Sequence, residues 1–171
     1  MTNWRTEFDE VMLRICNYTQ LDDKTPKEYL QGIPLMPREV HLVEVVRHYP
    51  GVNTTKLSQI TGIPKGSVSK MTRKLAKDNL LELYRKAGNL KEVHYRCTSL
   101  GRRVYDAHLK YHHDNSDWFY REFDALETSQ KQFLVEILCS YADMMKEFCD
   151  KNVAQDLLRK KERKEKKSDD T

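Results

Sequence analysis

The stretch Thr54–Asn79 constrains the fold more than any other part of the chain. Residues 54–61 carry a short helical pattern, with Asn53 or Thr54 placed to cap it. Gly62 then supplies a turn, and Pro64 opens a second helical pattern that runs to about Asn79. Helix, tight glycine-containing turn and helix form the helix–turn–helix signature. Leu80–Tyr84 and Glu92–Thr98 follow, rich in Leu, Val and Tyr with rough alternation, around the basic segment Arg85–Lys91. That pattern predicts a β-hairpin with a basic tip, in the position of a wing.

The surroundings of this module are helical. Trp4, Phe8, Val11, Met12, Ile15 and Tyr18 recur at helical spacing over residues 4–19. A polar linker with turn residues Asp22, Asp23, Pro26, Gly32 and Pro34 separates them from a second helix, Pro37–Tyr49, which Pro50-Gly51 ends. After the wing, Ser99–Phe123 and Glu127–Asn152 read as long amphipathic helices, the second with a stripe too wide for a lone surface helix. Long apolar stripes outside so small a module need a partner, and a homodimer interface is the economical one. The expected fold is mainly α with a small β-wing. Residues 1–36 form an N-terminal dimerisation helix and linker, 37–98 the winged helix–turn–helix, and 99–153 the C-terminal dimerisation helices. Residues 154–171 form a charged tail, disordered or frayed, because nothing apolar beyond Leu158 can offset the entropy of ordering.

Charge distribution points to the partner. The whole 171-residue chain carries a formal +4. Between Lys65 and Lys91, eight basic residues face only Asp78 and Glu82, a local +6. A basic stripe on a nearly balanced protein suits a polyanion. On the second helix of the motif, Lys65, Ser67, Ser69, Lys70, Thr72 and Arg73 are assigned to the outward face, with Val68, Met71 and Leu75 behind them. Small, polar and basic side chains are what a helix entering the major groove requires. Arg85, Lys86, Asn89 and Lys91 at the hairpin tip are placed to reach an adjacent minor groove or its phosphates. The face carries no aromatic stacking residues, which argues for duplex DNA over single-stranded RNA.

Other classes find little support. The sequence has no bilayer-length apolar run and no signal-peptide core, so a cytoplasmic protein without membrane contact is expected. Cys16, Cys97, Cys139 and Cys149 form no C-x-x-C pair and read as buried structural thiols. No phosphate-cradling glycine loop, nucleophile elbow or paired carboxylate motif is present, so no enzymatic activity is expected.

The run Leu57–Leu81, the wing, and Thr98-Ser-Leu-Gly101 resemble the MarR family of winged-helix repressors, over about residues 4–150. The resemblance implies a triangular dimer, with helices from both chain ends at its base and two wings directed at DNA. The family's wing often carries Asp-x-Arg; the matching positions here are Asn89 and Lys91. Lysine reaches phosphate but lacks arginine's planar fork.

Six histidines add a second signal. His108 and His112 are four apart on a predicted helix, so they share a face and can chelate one ion. The chain resembles the branch of the family that includes zinc-sensing repressors. That resemblance implies a regulatory zinc site of one ion per protomer at His41, His108 and His112, with a linker carboxylate, Asp23 or its neighbour Asp22. Those relatives' second site would fall at Tyr29, Val40 and Ala107, none of which can ligate in its place. Metal control, a small organic effector in the same crevice, and redox control stay open as readings of the residues. The metal reading also implies weaker metal binding as pH falls through about 6.5, where free imidazole protonates.

Overall fold

A computed structural model describes residues 3–169. The order is α1 (Trp4–Asp22), β1 (Lys27–Leu30), β2 (Ile33–Leu35), α2 (Pro37–His48), α3 (Thr54–Thr61), α4 (Lys65–Lys77), β3 (Leu81–Lys86), β4 (Asn89–Cys97), α5 (Ser99–Ala125) and α6 (Thr128–Asp169). The backbone divides into two compact units, Met1–Ser116 and Asp117–Thr171.

The first unit holds the winged helix–turn–helix. Its core joins Leu35, Val40, Val43 and Val46 from β2 and α2 to Leu57, Val68 and Leu75 from α3 and α4, closed by Leu80, Tyr95 and Val104. Asn53 caps α3, its side chain accepting from the Lys56 amide at 2.8 Å. Gly62 ends α3 with φ +69°, a left-handed conformation that glycine adopts without a Cβ penalty. α3 and α4 therefore meet through the tight turn that the sequence requires. β3 and β4 pair antiparallel, with a register shift between Tyr84 and Lys86 that bends the tip. The segment before α3 runs along β4: Gly51 N–H donates to Tyr95 O, and Tyr95 N–H donates to Val52 O, both at 2.9 Å. His94 reinforces this seam through Nδ1, 2.9 Å from Gly51 O.

Thr98 and Gly101 join the wing to α5. Thr98 Oγ1 donates to Asn79 O at 2.6 Å and accepts from the Gly101 amide at 2.9 Å. A Cβ at Gly101 would stand 2.0 Å from Leu80 O, so only glycine lets the helix approach this closely.

The structure adds detail to the linker and the tail and changes the reading of the cysteines. The linker after α1 is not irregular: β1 and β2 form a short antiparallel hairpin turned at Gly32, φ +77°. The charged segment, expected to be disordered or a frayed helix, has helical backbone through Asp169. Its Lys, Arg and Glu residues are good helix formers. Cys16, Cys139 and Cys149 are exposed rather than buried, because neither α1 nor the described part of α6 fully buries any residue; only Cys97 is partly buried. The exposed faces are apolar, with Trp4, Ile15 and Tyr18 on α1 and, in the second unit, Phe133, Val135 and Phe148 on α6. Among the described residues, no helix is long and apolar enough to cross a membrane.

Candidate nucleic-acid interface and metal centre

α4 presents Lys65, Ser67, Lys70 and Arg73 to solvent, with Ser69 partly exposed. Arg73 Nε donates to Ser69 O at 3.0 Å, which lays the guanidinium along the helix surface. Thr72 departs from the expected face: it is fully buried, and its hydroxyl donates to Val68 O at 2.9 Å. The reason is periodicity. Thr72 follows Val68 by four residues and so continues the core stripe. Lys74 is tied back to α2, its Nζ 2.7 Å from both carboxylate oxygens of the buried Glu39. Glu39 also accepts from the Met36 amide at the start of α2, at 3.1 Å.

On the wing, Arg85, Lys86 and Lys91 are exposed. Asn89 is engaged in shaping the tip. Its Oδ1 accepts from the Lys91 and Glu92 amides, and its Nδ2 donates to Glu92 Oε2 at 3.1 Å. Lys65, Lys70 and Arg73 of α4 and the basic residues of the hairpin tip belong to one compact unit and are exposed.

The histidines converge as their spacing requires. α2 carries His41, Glu44 and His48 along one face, and α5 carries Tyr105, His108 and His112. One ligand atom from each of His41, His108 and His112 lies within 4.8 Å of the others. His108 Nε2 and His112 Nε2 are 2.8 Å apart and share a hydrogen bond. The rings of His41 and His112 are nearly parallel, 15° apart, on either side of the cluster. Tyr29 of β1 stands edge-on to His108, with ring centroids 5.0 Å apart, and also touches Tyr111. The hairpin missed in the sequence therefore supplies one wall of the site.

Burial governs the protonation of His108 and His41. His108 is 1% exposed, and burial, aided by His112, His41 and Lys27, pushes its pKa down to about 4. Burial also lowers His41, with His112 acting in the same direction and Glu44 opposing. Neutral imidazoles offer lone pairs, the state a metal needs. Tetrahedral zinc with bonds of about 2.0–2.1 Å sets its ligand atoms roughly 3.3 Å apart, within reach of small ring rotations here. His108 Nδ1 is buried without a hydrogen-bond partner, an arrangement costly for a purely structural histidine. The three residues fit a borderline-soft divalent ion such as zinc.

Asp23 does not join them. It caps the end of α1, where Oδ1 accepts from the Arg38 amide at 3.1 Å and Oδ2 pairs with the Arg38 guanidinium. Burial raises its pKa, but the contacts with Arg38 outweigh that and hold the carboxyl below its ordinary value. Asp22 pairs with Lys27. The carboxylate at the cluster is Glu44, with Oε2 3.7 Å from His108 Nδ1 and Oε1 3.8 Å from His48 Nε2. Its place three residues after His41 was the available signal.

The architecture is that of a winged helix–turn–helix protein with additional helices at both ends. No family model matches the chain. The fold is that of MarR-family winged-helix regulators. The chain superposes on the crystal structure of Streptococcus pneumoniae FabT in complex with DNA with a TM-score of 0.59 and 15% identity, over 85% of this chain and 99% of that one. On Lactococcus lactis ZitR, a zinc-responsive MarR family member, the TM-score is 0.56 with 13% identity, over 82% and 98%. In sequence it is similar to the HTH-type transcriptional regulator PchR of Bacillus subtilis (strain 168), 24% identical over 119 residues that span 70% of each chain.

Proposed function

We propose that the protein is a homodimeric, sequence-specific transcriptional regulator, a repressor acting in the cytoplasm, whose affinity for operator DNA is set by zinc at His41, His108 and His112. The observation carrying the DNA reading is the pairing of a solvent-facing basic α4 with a basic wing tip on one module. FabT, with the same fold, was crystallised with DNA. Lys65, Ser67, Ser69, Lys70 and Arg73 enter the major groove, while Arg85, Lys86 and Lys91 hold flanking phosphates. The exposed apolar faces of α1 and α6 supply the dimer contact, and twofold symmetry then calls for a pseudo-palindromic operator. Half-site centres lie about 34–36 Å apart.

The metal reading rests on three imidazoles from two helices within reach of one ion, with burial holding His108 neutral. His41 of α2 and His108 and His112 of α5 would hold the ion, which would then cross-link the two helices. α2 in turn holds the recognition helix through Glu39 and Lys74, so the position of α2 is passed to the DNA-reading face. A coupling of about 1–3 kcal/mol alters DNA affinity roughly 5–150-fold. The zinc-responsive ZitR shares the fold.

Fluorescence anisotropy with duplexes from the protein's own promoter region, across salt concentrations, tests the DNA reading. Tight binding to one duplex, with log affinity falling linearly and steeply with log salt, supports it. Equal, weak binding to every duplex and to single strands contradicts it.

A further inference from the structure

We propose that Glu44 is the positioning residue of the histidine cluster: its carboxylate fixes the proton of His108 on Nδ1 and so leaves Nε2 as a lone pair for the ion. The inference rests on the metal-site reading above. Its argument begins with a proton count in the metal-free protein. His108 Nε2 and His112 Nε2 stand 2.8 Å apart, so one of them carries the proton they share. If His108 donated, its Nδ1 would be a bare lone pair facing the Glu44 carboxylate oxygen 3.7 Å away, an acceptor against an anion. If His112 donates, His108 carries its proton on Nδ1, 3.7 Å from that carboxylate. Nothing else competes for the proton, because His108 Nδ1 is buried with no other partner. The second tautomer is therefore the one selected.

Glu44 is held for this task. Its other oxygen faces His48 Nε2 at 3.8 Å, and His48 Nε2 lies 3.4 Å from the Tyr105 hydroxyl. The carboxylate thus sits between His48 and His108, partly buried, one helical turn beyond His41 on the same face of α2. A carboxylate behind a ligating imidazole raises the basicity of the ligand and fixes the ring's orientation, and removing such a partner costs 10–100-fold in metal affinity.

The experiment compares the full-length protein with Glu44→Leu, Glu44→Gln and His41→Ala. Zinc affinity is read by competition with a chromophoric chelator, and the His108 tautomer by nitrogen NMR of the metal-free protein. The expected result is Nδ1-protonated His108 in the wild type and mixed tautomers in Glu44→Leu. Zinc affinity should be 10–100-fold lower in Glu44→Leu and partly restored in Glu44→Gln, whose amide oxygen can accept the same N–H. An Nε2-protonated His108 in the wild type overturns the proposal, as does unchanged zinc affinity in Glu44→Leu. Loss of zinc in Glu44→Gln as complete as in His41→Ala also overturns it, since Glu44 would then be a ligand. If the wild type takes no zinc, the metal reading fails, and the tautomer alone decides whether Glu44 orients the ring.

Discussion

Replacing His108 by leucine separates a histidine kept for binding from one kept for packing. At neutral pH the substitution removes a buried Nδ1 without a partner, a gain of about 1–3 kcal/mol. Against this stand the His108–His112 hydrogen bond, about 1 kcal/mol, and the edge-on contact with Tyr29, about 0.5–1.5 kcal/mol. The sum is close to zero, so the metal-free variant should match the wild type within about 1 kcal/mol in urea denaturation at pH 7. Acid changes the balance. His108 falls from an ordinary 6.5 to about 4 on folding, so below pH 6.5 the unfolded chain takes up its proton first. Its contribution is fully present above about 6.5 and is lost as pH falls towards 4, by about 2 kcal/mol at pH 5 and about 3 kcal/mol in all. His108→Leu lacks this loss and should be the more stable protein at pH 5 by about 2 kcal/mol. It should also lose any zinc-dependent rise in stability. A variant destabilised by more than about 2 kcal/mol at pH 7 without metal would refute the reasoning, because His108 would then be a core residue serving the fold.

Gly101→Ala should destabilise the protein by about 2 kcal/mol or more despite alanine's better helix propensity, since its Cβ meets Leu80 O at 2.0 Å; a thermal or urea melt reads this. Lys70→Ala and Arg73→Ala should each weaken duplex binding and lower the salt slope by about 1, measured by anisotropy, while the melting temperature stays put. Lys74→Met leaves the buried Glu39 without its cation and should cost about 1–3 kcal/mol in urea unfolding. Zinc affinity should hold to lower pH than a free histidine pair allows, because burial lowers both His41 and His108; isothermal titration between pH 5 and 7 checks this.

What could be read from sequence followed from how locally each feature is encoded. Gly62 and Pro64, with an Asn53 cap, specify the α3–turn–α4 unit within a dozen residues, and the structure has it there. The wing was legible from alternating residues on either side of a basic turn. Thr72 was misplaced because its polarity outweighed its four-residue offset from Val68; the Val68 carbonyl satisfies the hydroxyl inside the core. The β1–β2 hairpin escaped notice because Lys27, Glu28 and Pro34 make its strands look like linker, while Tyr29, Leu30, Ile33 and Leu35 form its packed side. At the cluster, i, i+4 spacing located His108 and His112, and resemblance added His41. Spacing could not show that Arg38 occupies Asp23, because that pairing depends on how the hairpin returns the chain to α2. Glu44 lay hidden for a related reason: its role appears only when α5 is laid against α2.

The central claim is that zinc at the three histidines changes DNA affinity, and it is tested most directly by titrating zinc into chelator-stripped protein while following its affinity for its own promoter duplex. The account predicts that one equivalent per protomer shifts the affinity at least about fivefold, and that His108→Leu binds the duplex as the stripped protein does and ignores zinc. Tight duplex binding that zinc leaves unchanged would contradict it, and would point to an organic effector in place of the metal.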